Sequence, residues 1–295
     1  MIRDREAQGH AAMLAFSALV SFSFSLGHLI ANEISPSVLT AVRFAIAVSV
    51  MVALAAILRQ PLAPLFHRAW RWMILGGLMA IYFITMFEAL QLTSPVATAA
   101  VFTLTPFIAA SLGWLIVRQP TSPGTLSILG LGGIGSLWVI FRADIDRVLA
   151  FDIGPGEAIF MVGAVCHAAV PAMSRRLSGG ATTFQVATGS VTGALVVTSI
   201  YGLPDLLETD FSALRPLVWF VALYLGVMTT ALTFFLLQFA VPRLGSGKLM
   251  AYTYLVPCWV VLQGLPLGQT EPIIVYGGVV LTLCAMVLLL RSEPN

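Results

Sequence analysis

The chain has 295 residues, a formal net charge of +2 and 9% charged against 59% hydrophobic residues. Soluble domains carry about 25% charged residues, so a water-soluble globule is excluded, and a charge this small and scattered excludes nucleic acid as a partner. A membrane-crossing helix needs about 20 apolar residues, so ten use about 200 positions, which leaves short loops and no extramembrane domain.

Apolar runs bounded by charge, Pro or Gly divide the chain into ten segments: 11–31, 36–58, 72–90, 94–117, 124–141, 157–173, 182–203, 216–240, 245–265 and 271–290. Alternating polar and apolar decamers are absent from the sequence, and each run is long enough to satisfy its own backbone as a helix. The fold class expected is an all-α integral membrane protein with ten transmembrane helices. The first run is read as a retained span, not a signal peptide, because no small-residue cleavage site follows it. Arg59, Arg68, Arg71, Arg118, Arg175, Arg176, Arg243 and Arg291 fall on the side of the N-terminus, whereas Arg142, Arg147 and Arg215 fall on the other. Positive loops are retained inside, so both termini are expected in the cytoplasm. Acids such as Asp152, Asp205 and Glu271 lie outside.

Along the first span, Ser17, Ser21, Ser25 and His28 recur at four, four and three positions, which turns one hydroxyl-lined side inward. That side either bonds a neighbouring helix or borders a wet cavity. Arg43 in the second span and Glu88 in the third are expected to form a structural ion pair. Tyr82, Phe83 and Met86 make an aromatic and Met stripe on span three, and Lys248, Tyr252, Leu255 and Trp259 share one face of span nine. The two stripes are read as lining one cavity, for which aromatic faces and an adaptable Met suit a broad range of cargo. Lys248 either snorkels to the interface or meets a substrate carboxylate. His167, at mid-depth in span six, is counted with the binding residues, as are Ser21, Phe102 and Thr103.

Pro106 and Pro257 each lack the N–H that would bond the carbonyl four residues earlier, which frees the carbonyls of Phe102 and Thr253. Both prolines are read as hinges with exposed backbone acceptors. Gly130 to Gly135 matches a dinucleotide-binding pattern but lies in a charge-free span with no strand before it, so that reading is rejected. Small residues at 132 and 136 instead allow close helix approach, within the chain or at a homodimer contact, and both monomer and homodimer stay open. Cys166, Cys258 and Cys284 lie in apolar runs without metal-ligand spacing. No metal, cofactor or catalytic residue is expected, and no hydrolase or metalloprotease motif occurs.

Spans four and nine align at a constant shift of 151 positions, which sets Ala89 on Ala240, Ser94 on Gly245, Ala100 on Ala251 and Pro106 on Pro257. With two positions dropped, spans five and ten end together at Arg142 and Arg291. Five spans copied into ten force the second copy to enter the membrane from the opposite side. The expected organisation is therefore two inverted five-helix repeats, 1–142 and 155–295, joined by an outer linker at 143–154.

The segment from Leu39 through Arg43 to Phe44, the run from Ala89 through Pro95 to Ala100, and Leu104-Thr105-Pro106 together resemble the EamA module of the drug/metabolite transporter superfamily, present twice. Within it the chain is similar to the ten-span YddG-type aromatic amino acid exporters. The second module departs from the pattern: Thr188 stands where Arg43 would repeat, and Lys248 where Ala97 stands. The resemblance implies an exporter in the bacterial inner (plasma) membrane that moves amino acids, aromatic and smaller neutral ones, and amphipathic cations. Its mechanism would be alternating access around a central cavity between the repeats. Facilitated transport is preferred to proton coupling, because Glu88 lies near a span end. The rival readings are a permease for nucleotide sugars or other anions, and an intramembrane enzyme using His28 or His167 beside Ser21.

Overall fold

Pro36, Pro95, Pro123, Pro155 and Pro216 each open a helix, at the one position where a missing N–H is an orphan in any case and a fixed φ is an advantage. The side chains of Ser94 and Ser122 accept the N–H of Ala97 and Thr125, and Thr182 with Gln185 forms a reciprocal capping box. The computed structural model describes residues 2–141, 143–149, 153–267 and 272–291. Arg142, Asp152 and Glu271, and with them part of the expected linker, lie outside the described residues.

Among the described residues every regular element is helical. The α-helices are α1 Ile2–Ile30, α2 Pro36–Ile57, α3 Trp70–Leu92, α4 Pro95–Phe102, α5 Thr105–Val117, α6 Pro123–Ile140, α7 Ile145–Leu149, α8 Pro155–Leu177, α9 Thr183–Tyr201, α10 Leu203–Glu208, α11 Pro216–Gly226, α12 Thr233–Ala240, α13 Ser246–Met250, α14 Val256–Gly264 and α15 Tyr276–Arg291. A π-helical turn, Val227–Leu232, joins α11 to α12, and a 3-10 stretch, Ala251–Leu255, joins α13 to α14. Eight helical stretches among the described residues are long and apolar enough to cross a membrane: α1, α2, α3, α4 with α5, α6, α8, α9, and α11 with α12. The ninth predicted run is interrupted by the 3-10 stretch, and the tenth is a shorter apolar helix, Ile273–Leu289.

The helix contacts keep their pattern when the first five runs are exchanged with the last five. Helix α3 packs on α8 and α9, as α11 and α12 pack on α1 and α2. The α4–α5 pair lies against α8, as α13 and α14 lie against α1, while α6 meets α15 and α2 meets α9. Two seams are drawn tight by glycine. A Cβ on Gly193 would overlap the Trp72 carbonyl, and one on Gly76 the backbone of Ala194, so α3 and α9 touch main chain to main chain. Gly135 and Gly278 do the same between α6 and α15. Gly132 receives the ring of Tyr254, and Ser136 bonds Thr103, so the small residues at 132 and 136 are used inside the chain.

Side-chain clamps hold each end of the bundle. On the N-terminal face, Arg175 donates to the carbonyls of Val241 at 2.7 Å and Leu244 at 2.5 Å, and to Ser246 Oγ at 2.5 Å. On the opposite face, Arg215 forms a two-pronged bridge to Glu33, and the Asp205 carboxylate accepts from Ser35 and Ser37. The hydrogen bond from Arg215 holds the Glu33 carboxyl below the usual carboxylate range, and the Ser35 and Ser37 hydroxyls do so for Asp205.

Candidate functional site

The hydroxyl side of α1 resolves into a zipper with α14. Trp259 Nε1 donates to Ser17 Oγ at 3.3 Å, Gln263 Nε2 donates to Ser21 Oγ at 2.7 Å, and Ser25 Oγ donates to Gln263 Oε1 at 2.7 Å. His28 Nδ1 donates to the Leu90 carbonyl at 2.9 Å. Of the two roles open for this face, bonding a neighbouring helix is the one realised. Ser21 also donates to the Ala18 carbonyl, and neither histidine bonds it, so no nucleophile and base pair is assembled there.

Toward the N-terminal face, His10 Nδ1 and the Tyr252 hydroxyl are 2.8 Å apart. One turn beyond them opens a cavity of about 530 Å³, lined among others by Arg5, Glu6, Gln119, Thr125, Arg243 and Lys248. Its volume is within the range of small-molecule sites, about 300 to 1,000 Å³. Lys248 thus faces a vestibule rather than the bundle centre.

Between these two closures lies a box of rings. Tyr82 from α3 sits with its ring centroid 4.5 Å from His167 of α8, 5.5 Å from Phe102 of α4 and 5.7 Å from Phe160. Phe102 is 4.8 Å from His167, and Phe24 of α1 covers Phe102 and Phe160 at 5.7 and 6.0 Å. Met86 is fully buried beside them. All of these rings are buried, yet the Tyr82 hydroxyl and His167 Nδ1 have no hydrogen-bond partner in the protein. Buried polar atoms are otherwise almost always satisfied.

The structure separates several residues that the sequence reading had joined. Tyr252 and Trp259 both turn to α1, at His10 and Ser17, so the two aromatic stripes are linked through α1 instead of facing each other across open space. Thr103 caps α4 and bonds Ser136. The expected pair of Arg43 with Glu88 does not form: Arg43 Nε donates to Thr230 Oγ1 at 2.9 Å and its Nη2 to Thr229 Oγ1 at 2.9 Å, over the ring of Phe83 at 3.8 Å. Glu88 stays half-buried on α3. The π-helical turn is what brings two threonines within reach of the guanidinium.

The prolines interrupt their helices as expected, α4 ending at Phe102 ahead of Pro106 and a 3-10 stretch preceding Pro257. Their carbonyls are not left free. Thr105 Oγ1 donates to the Phe102 carbonyl at 2.7 Å, and the Val256 N–H donates to that of Thr253, because a bend in apolar surroundings must re-satisfy its own backbone. Phe24, Phe160 and Gln263 are additions to the sequence-derived set. Phe160 stands two turns before His167 and Gln263 one turn after Trp259, so helical spacing from a known site residue is the signal that finds them.

Comparison with known proteins places this arrangement in context. The profile of the EamA-like transporter family matches residues 7–141 and, a second time, residues 154–291. An uncharacterized transporter of Bacillus subtilis (strain 168), YyaM, is 24% identical over 283 residues, covering 92% of this chain and 90% of that protein. A protein of known crystal structure superposes with a TM-score of 0.70 over 97% of this chain and 96% of its own, at 20% identity, which shows a shared fold. Family and relative both point to transport rather than enzymatic chemistry. The chain belongs to the EamA-like transporter family and is a multi-pass membrane transporter.

Proposed function

We propose that this transporter is an exporter of amino acids, aromatic and smaller neutral ones, with amphipathic cations as further cargo, in the inner membrane of a bacterium. The observation that carries the reading is the box of Tyr82, Phe102, Phe160, His167 and Phe24, whose only unmet needs are two polar atoms. An aromatic side chain can replace the ring contacts, and a polar headgroup can satisfy the tyrosine and the imidazole. Helix α1 lines the whole route: Glu6 at the vestibule, His10 at its floor, Phe16 and Phe24 at the box, and His28 at the far seal. From Glu6 to His28 the helix rises about 33 Å, close to the thickness of a bilayer core of about 30 Å.

Ten spans as two inverted repeats, with both termini cytoplasmic, is the organisation we assign. It is supported by the exchange-invariant helix contacts, by the two family matches and by the arginine-rich loops on the N-terminal face. The vestibule then opens to the cytoplasm, and the α1–α14 zipper closes the outer side. Alternating access would open that zipper as the His10–Tyr252 floor and the Arg175 clamp tighten, with the interruptions ahead of Pro106 and Pro257 as hinges.

Counterflow of radiolabelled amino acids in proteoliposomes tests this reading. Phe and Trp are expected to exchange and to compete with one another, with weak response to an imposed pH gradient. Competition by UDP-sugars without competition by Trp or Phe would overturn amino acid export in favour of an anion permease. A steep, reversible response to the pH gradient would overturn facilitated transport.

A further inference from the structure

Arg43 is fully buried, and among the described residues no carboxylate pairs with it. A guanidinium has five N–H donors in a planar fork. Its Nε bond goes to Thr230 Oγ1, and Nη2 bonds the hydroxyl of Thr229 at 2.9 Å and its carbonyl at 3.3 Å, while Nη1 has no partner. The site is built to hold the fork still. Thr229 and Thr230 both donate their hydroxyl protons to the single carbonyl of Leu225, four and five residues back, which leaves oxygen lone pairs for the arginine. Only a π-helical turn offers one carbonyl to both. Ser23 of α1 donates to Thr229 Oγ1 as well, at 2.9 Å.

The cationic fork is therefore fixed and buried with no carboxylate beside it among the described residues, and an ionisable group at membrane depth marks a functional site. Phe83 carries the guanidinium on one side, and its ring is 4.6 Å from that of Tyr82. The unpartnered Tyr82 hydroxyl, His167 Nδ1 and Arg43 Nη1 thus belong to one stretch of the bundle interior.

We propose that Arg43 is the recognition site for the carboxylate of the cargo, its Nη1 edge receiving the anion while the aromatic box receives the side chain. The inference rests on the amino acid export reading and makes Arg43, rather than the vestibule residue Lys248, the group that reads the acid. The orphaned donor is what a carboxylate supplies with its lone pairs, and the tyrosine hydroxyl can donate to a second oxygen.

The test is competition against labelled Phe in counterflow, using phenylalanine, 3-phenylpropanoate and phenylalaninamide. In the wild type the two carboxylates are expected to compete about thirtyfold or more better than the amide, since breaking a buried charge pair removes at least that factor. In Arg43→Gln the preference should collapse to within about twofold while the amide is unaffected. A folded Arg43→Gln protein that keeps the preference would overturn the proposal. Should that variant fail to fold, Arg43→Lys keeps the charge and removes the fork: a lower preference for the carboxylates supports the proposal and an unchanged one refutes it. If the wild type exchanges no amino acid, the export reading fails by itself. The carboxylate site is then judged by thermal stabilisation with 3-phenylpropanoate, which must occur in the wild type and be lost in Arg43→Lys.

Discussion

The seam between α3 and α9 and the box between α3, α4 and α8 share a helix and differ in what they leave unsatisfied. At the seam, Gly76 and Gly193 bring main chain against main chain. In the box, large rings meet at 4.5 to 5.7 Å around a hydroxyl and an imidazole nitrogen that bond nothing. A backbone contact has no slack and fixes two helices as one body. Rings around orphaned polar atoms gain from being replaced, so the same helix is rigid on one side and exchangeable on the other.

The harshest way to break that comparison is Gly193→Leu. Its side chain would displace the Trp72 carbonyl, so destabilisation at or beyond the roughly 3 kcal/mol upper end of ordinary overpacking is expected. Loss of the monodisperse protein after detergent extraction is the readout, and a variant as stable as wild type would show that the seam yields. Tyr82→Ala should follow, with export of Phe and Trp reduced about tenfold or more and export of Ala changed by less than about threefold. Equal losses for large and small cargo would remove Tyr82 from the pocket.

Two changes sharpen the contrast. Tyr82→Phe deletes an unsatisfied buried hydroxyl and keeps the ring, so melting should rise by the equivalent of about 1 kcal/mol while affinity for aromatic cargo falls. Transport and stability moving together would show instead that the hydroxyl is satisfied. Gln263→Leu removes the two zipper bonds to Ser21 and Ser25, a loss of about 1 kcal/mol that shifts the outward-open population about fivefold. Labelling of a Val20→Cys protein, on the α1 face between Phe16 and Phe24, by an impermeant thiol reagent in a background lacking the native cysteines measures that population.

The smallest effect is expected at Asp205, on the exposed rim. Its carboxyl is held below the usual range by Ser35 and Ser37, so its contribution is present above the unfolded carboxylate value and is lost as pH falls through the lowered one. Asp205→Asn should reproduce the acid behaviour at neutral pH, with a melting shift within about 2 °C. A larger shift would make the rim, rather than the seams, the dominant brace.

Much of the fold is legible residue by residue. The prolines at 36, 95, 123, 155 and 216 mark helix starts, and Thr182 with Gln185 spells its own cap, because these signals act within one turn. Tyr82 and Met86 could be chosen as candidates because they form a stripe with Phe83 on one helical face, Phe102 because it lies four residues before Pro106, and His167 because an ionisable group at membrane depth is uncommon. Their neighbours could not. The pairing of Arg43 with Glu88 was inferred from proximity along two adjacent spans, but Thr229 and Thr230 arrive from almost two hundred positions away on a π-helical turn that leaves no local sequence mark. The Tyr252 and Trp259 stripe was real as a stripe, while its partner was α1.

What the amino-acid sequence determines by itself is set by short-range chemistry and by the solvent: helices throughout, their starts and interruptions, the doubled family module and the uneven spread of arginine. Those follow because a backbone in lipid must bond within its own helix, whatever lies beside it. Only the tertiary structure decides which faces meet, that the serines of α1 are spent on Gln263 and Trp259, and that a buried guanidinium keeps an open edge. In an all-apolar helix every side is equally able to be buried, so long-range packing alone selects the one that is.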